Sequence, residues 1–234
     1  MDKKLIPAII TFYCIAIALR YLTNGTLLLS KIDNTFLKII LQGIGPAIGA
    51  VVTFLLFKIP SVMTLKGNFR NLYFPLFIFW MFPAAIISAI AFLKNGTVPF
   101  GLVFPVLFYG LLEEMGWRGF LQQVLKPLPR YASILVVALL WFMWHLNFEI
   151  TVANLTFFGI LILGSWGIGK IADKTNSLLA AAAFHSLNNF YQNLDTIKII
   201  TLTVLIIIWV LTVIFFTRNQ NAGFKRSPTL IPES

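Results

Sequence analysis

Cysteine, histidine and carboxylates are all scarce in this 234-residue chain, and each shortage excludes something. A single cysteine, Cys14, rules out an intrachain disulfide and leaves the redox compartment undetermined. Charged residues make up only 11% of the sequence, whereas a soluble domain carries about a quarter, so an ordinary soluble fold is excluded. No internal repeat or low-complexity tract is present, and no HExxH helix of the kind that signals zinc hydrolysis. What fills the chain is apolar: 59% hydrophobic residues and a mean hydropathy of +0.87.

Apolar runs lie near 5–22, 36–57, 72–93, 99–125, 131–148, 153–170, 177–192 and 197–217. At roughly 20 residues per crossing these predict an all-α, polytopic membrane bundle of about eight transmembrane helices. Residues 1–217 form its single domain, and 218–234, polar with Pro228 and Pro232, a short flexible cytosolic tail. Lys3 and Lys4 precede an apolar run without a small-residue cleavage site, so the first run reads as an uncleaved span closed by Arg20 and Tyr21.

The formal charge of +10 marks topology. With a cytoplasmic N-terminus, Lys3, Lys4, Lys58, Lys66, Arg70, Lys126, Arg130, Lys170, Lys174, Arg218, Lys225 and Arg226 fall inside. Only Arg20, Lys31, Lys38, Lys94 and Lys198 fall outside. The positive-inside rule then expects an integral, multi-pass plasma-membrane protein with both termini cytoplasmic. Its partner is the lipid bilayer and not nucleic acid, for which no basic fold motif is present. Gly45 with Gly49, and Gly164 with Gly167 and Gly169, suit close helix approach.

Against this background, a few ionisable groups sit within apolar sequence, where such groups are costly and mark candidate sites. The run Glu113, Glu114, Met115, Gly116, Trp117, Arg118 lies in the fourth span. Glu114 and Arg118 are one helical turn apart with the acid first, the favourable order, which leaves Glu113, about 100° around the axis, less compensated. Two adjacent carboxyls with different partners can hold different protonation states, as acid/base chemistry near neutral pH needs. An interhelical salt bridge explains the same residues. His145 closes the fifth span, and His185 with Asn189 lies one turn apart in the seventh; each histidine suits interhelical hydrogen bonding as well as catalysis. Counted at 1.5 Å per residue from the cytosolic boundary, Glu113, His145, His185 and Asn189 lie roughly 20, 22, 16 and 22 Å deep, which allows one interior cavity.

The order EEMGWR at 113–118, WFMWH at 141–145 and HSLNN at 185–189 resembles the CPBP family of intramembrane proteases. That family includes the CAAX prenyl proteases and the bacterial Abi proteins linked to bacteriocin immunity. The likeness spans about 99–191, with one departure: Trp141 stands where the family usually has phenylalanine. The resemblance implies an endopeptidase acting on a membrane-associated peptide or protein. Glu113 would be the base and His145 would hold the attacking water. His185 and Asn189 would form the oxyanion hole, and Glu114 and Arg118 would tune Glu113, or Glu114 would share the base role. Glu113, His145 and His185 are also the candidate ligands if a zinc ion takes part. The pairing of His185 with Asn189 favours a metal-free, glutamate-and-water form. A scaffold or bacteriocin self-immunity protein that binds another membrane protein is the alternative, and a proton or solute transporter a third reading, although no inverted repeat supports it.

Overall fold

The computed structural model describes residues 4–98 and 100–190, together with Thr203, Val204 and Ile207. The expected eighth span at 197–217, but for those three residues, and the tail at 218–234 lie outside the described residues. Residues to Phe190 fold as one unit.

Among the described residues eight α-helices follow one another: α1 Leu5–Asn24, α2 Thr35–Phe57, α3 Phe69–Leu76, α4 Phe82–Asn95, α5 Phe100–Glu114, α6 Arg130–Trp144, α7 Val152–Thr175 and α8 Leu178–Phe190. A π-helical stretch, Phe77–Met81, joins α3 to α4, and another, Met115–Gln122, continues α5. No strand occurs among the described residues, which agrees with the all-α expectation.

Among the described residues four stretches are long and apolar enough to cross a membrane: Leu5–Asn24, Thr35–Phe57, Phe69–Asn95 and Val152–Thr175. The expected fifth span appears as a shorter helix of 15 residues, and the seventh is described from Leu178 to Phe190. At 1.5 Å per residue α6 measures roughly 22 Å, against about 30 Å of hydrocarbon. It stops at His145, and Leu146 takes a left-handed conformation (φ 62°) that ends the helix. A non-glycine residue in that region costs about 1–2 kcal/mol.

The core forms where small and aromatic residues share a face. On α1, Ala8, Phe12 and Ala16 recur every fourth position and are fully buried. Phe12 meets Trp117 edge-on at 5.6 Å and Phe120 at 4.9 Å, so α1 packs directly on the π segment. The expected close approach at Gly45 and Gly49 is present: a Cβ there would lie 2.7 Å from the Ala16 carbonyl oxygen or 2.8 Å from that of Phe12. A Cβ on Gly116 would fall 2.4 Å from that of Pro46. Gly116→Ala therefore forces α2 away from the π segment and costs about 1–3 kcal/mol, visible as a lower thermal midpoint in detergent. An unchanged midpoint would show that this contact carries no packing constraint.

The loop after α2 is clamped to the α7–α8 junction. Thr64 exchanges backbone bonds with Asn176 and Leu178, and the Ser177 hydroxyl donates to the Leu65 carbonyl. Gly67, at φ +58°, passes so close to Thr175 that a side chain there would collide with backbone. Gln123, just past the π segment, donates to the Pro60 carbonyl at 2.7 Å and accepts from Val62 N–H at 2.9 Å. These ties fix α5, with its π extension, and α8 relative to each other.

Candidate active site

The change from α to π winding falls between Glu114 and Met115, beside the acid pair. π turns recur at functional sites. The four-residue spacing still places Trp117 on Glu113 and Arg118 on Glu114, so the two adjacent acids face different partners.

Glu113 is 1% exposed. Its Oε2 accepts two indole N–H bonds, from Trp141 at 2.7 Å and from Trp117 at 3.3 Å. Its Oε1 is buried and has no hydrogen-bond partner among the described residues. His145, His185, Tyr109 and Arg20 all lie near enough to act on its charge.

Glu114 is fully buried and serves as a junction. Its Oε2 lies 3.2 Å from Arg118 Nε, and its Oε1 lies 2.6 Å from His185 Nδ1. Arg118 also donates to the Gly164 carbonyl at 3.3 Å and rests 4.7 Å from the centre of the Trp141 ring. The pairing of Glu114 with Arg118 expected from spacing is present, and His185 joins it. A hydrogen-bonded ion network of this kind is how a buried charge is tolerated.

Both histidines commit the same nitrogen. The His145 Nδ1–H donates to the Trp141 carbonyl at 2.9 Å, an oxygen that can only accept. The His185 Nδ1 bonds Glu114. Each ring is thereby oriented with Nε2 left for other chemistry, the arrangement in which one ring nitrogen sets the role of the other. The Trp141 ring lies 5.2 Å from His185 and 6.3 Å from His145, between the two. Asn189 lies one turn beyond His185 on α8, half-buried.

Among the described residues, no three His, Cys, Asp or Glu side chains come together closely enough to hold a metal ion. The candidate ligands Glu113, His145 and His185 are thus neighbours without forming a coordination set.

Four contributors escaped the sequence reading. Arg20, read as closing the first span on the outside, is only 8% exposed and continues the stripe Ala8, Phe12, Ala16. Its guanidinium lies 4.2 Å from the centre of the Trp144 ring, and its Nη1 donates to the Gln42 carbonyl at 3.1 Å. The every-fourth-residue stripe was the signal available for it. Tyr109 and Trp117 flank Glu113 by one turn on either side, a spacing also visible in the sequence. Tyr109 packs edge-on to His185 at 6.3 Å.

Trp141, expected only to preserve an aromatic, supplies the shorter of the two bonds to Glu113. Phenylalanine has no N–H to give. Trp141→Phe removes a bond to a charged group, about 1.5–3 kcal/mol. It is expected to alter the pH profile of Glu113-dependent turnover while the folded chain persists, and an identical profile would exclude a tuning role.

No curated protein matches the chain. Residues 95–191, the segment that holds Glu113, Glu114, Arg118, His145, His185 and Asn189, match the family model described as type II CAAX prenyl endopeptidase, Rce1-like, and this match supports the likeness to the CPBP/CAAX protease family.

Proposed function

We propose that the protein is an intramembrane endopeptidase that hydrolyses a peptide bond in a membrane-associated substrate by glutamate-activated water. The observation that carries the reading is the Glu113 carboxylate, held on one oxygen by two indoles and with no well-aligned hydrogen bond on the other, with both histidines and Tyr109 beside it. A general base needs that combination of fixed orientation and an open acceptor.

In this reading the Glu113 Oε1 accepts a proton as water attacks the substrate carbonyl. His145 presents Nε2 to the same water, because its Nδ1–H is tied to Trp141. His185, oriented through Nδ1 by Glu114, turns Nε2 to the oxyanion, joined by Asn189. Such a donor contributes about 3–4 kcal/mol in other enzymes. Glu113 then returns its proton to the leaving amine. Glu114 and Arg118 are positioning residues, acting through His185 and the α7 backbone. In this reading both termini are cytosolic, and substrate and water enter from the cytosolic side.

The test is cleavage of membrane-embedded and prenylated CAAX peptides by purified protein. Wild type is compared with His145→Ala and His185→Ala, each with and without chelator. Loss of roughly 10²–10³ in kcat in both variants, with wild type indifferent to chelator, is expected. Equal cleavage by all three proteins overturns the assignment of the histidines. Chelator sensitivity that zinc restores overturns the metal-free form.

A further inference from the structure

A cavity lies away from the acid pair, at the end of the bundle that carries Lys126, Arg130 and Lys170. It has a volume of about 480 Å³ and is bounded by the end of the π segment, the first turns of α6 and the last turns of α7. That is within the usual range of small-ligand sites.

Its polar groups are strongly one-signed. Lys126, Arg130 and Lys170 are exposed at its rim and form no ion pair with a described carboxylate, and Lys174 lines it as well. Lys170 rests 4.3 Å from the centre of the Trp166 ring, which holds its ammonium at the wall. The one carboxylate in the lining, Asp173, accepts from Gln122 Nε2 at 3.1 Å, and the same amide donates to the Gly169 carbonyl at 3.2 Å. The acid is therefore engaged along the wall.

An independent observation comes from the interior. Ser165 lines the cavity, is 3% exposed, and its hydroxyl has no hydrogen-bond partner among the described residues. Most buried hydroxyls are bonded, and leaving one without a partner costs about 1–3 kcal/mol. Helical serines commonly bond back to the preceding turn, as Ser186 does to the Ala182 carbonyl. Ser165 does not. A donor held at the base of a cationic cleft is complementary to an anion that enters from the rim.

We propose that this cleft binds a phosphate anion, with Lys126, Arg130 and Lys170 neutralising its charge and the Ser165 hydroxyl donating to one of its oxygens. Basic clefts between membrane helices suit the phosphodiester of an anionic glycerophospholipid, and a free phosphate presents the same oxygens. The site is read by binding and does not depend on peptide hydrolysis.

The test uses full-length purified protein in uncharged detergent. Thermal midpoints are titrated with dioleoylphosphatidylglycerol, with dioleoylphosphatidylcholine and with inorganic phosphate. Phosphatidylglycerol is expected to raise the midpoint and phosphatidylcholine to leave it unchanged. A rise with inorganic phosphate as well assigns the site to the phosphate group in either source. Lys126→Gln with Lys170→Gln should weaken binding about fivefold per cation removed, and Ser165→Ala should weaken it further. Exposed Lys58→Gln with Lys66→Gln, outside the cleft, should not. Arg130→Gln alone serves as a second probe where the paired variant fails to fold. Equal midpoints with both lipids and no response to phosphate overturn the proposal, as does equal loss of binding in the Lys58 and Lys66 variant.

Discussion

Replacing Glu113 by glutamine is expected to lower peptide hydrolysis about 10²–10⁴-fold while leaving the fold intact. The amide oxygen of glutamine can accept the same two indole N–H bonds that Trp141 and Trp117 give to Oε2. The change therefore preserves shape and the bonds that hold the side chain. It removes the one property a general base requires, an oxygen able to take a proton, and the size of the loss follows from typical acid/base contributions. Thermal midpoint and cleavage rate, measured on the same preparation, separate the outcomes. A stable but inactive variant supports the assignment. Turnover within a factor of ten of wild type would assign the base to another residue, with Glu114 the nearest candidate. A collapse of stability would make Glu113 a structural member of the network instead.

The second large effect concerns Arg118. Arg118→Met removes the cation paired with a fully buried Glu114 and is expected to cost about 3–5 kcal/mol, because the carboxylate in the apolar interior then keeps only its bond to His185. The Gly164 carbonyl also loses its donor, and the face of Trp141 loses its guanidinium. The cost should fall when the charge is removed as well: Glu114→Gln with Arg118→Met should recover much of the midpoint, since the amide oxygen still accepts from His185. Recovery of stability without recovery of activity would identify the ion pair as a positioning device for His185. If the double variant is no more stable than Arg118→Met alone, the loss comes from packing of the long side chain and the buried-charge account fails.

Much of the candidate site was legible in the sequence, because a charge in apolar surroundings stands out against its neighbours. Glu113, Glu114, Arg118, His145 and His185 were found on that ground, and the pairing of Glu114 with Arg118 followed from one turn of helix. Hydrogen-bonding aromatics are harder to find. Trp117 and Trp141 look like ordinary apolar residues in a chain with 23 phenylalanines, and only a fixed rotamer turns an indole N–H into a donor for a carboxylate. Arg20 was read only as closing the first span. Its place on the stripe Ala8, Phe12, Ala16 was visible in the sequence, but only the fold shows that this face of a helix reaching Asn24 is turned inward.

The amino-acid sequence by itself determined the solvent, the helical class and the identity of the charged groups. Burial of so much apolar surface leaves the backbone to satisfy its own hydrogen bonds within each segment, which in a membrane means helices. Tertiary structure alone decided which of those charges meet. The 2.6 Å contact of His185 with Glu114 joins positions 71 residues apart, and Trp141 reaches Glu113 across 28. Such distances depend on how close the helices pack, and that closeness rests on contacts such as Gly45 against Ala16 and Gly116 against Pro46. Periodicity sets which face a residue occupies. Packing sets what lies opposite, and here it separates two adjacent glutamates into an indole-held carboxylate and an ion-paired one.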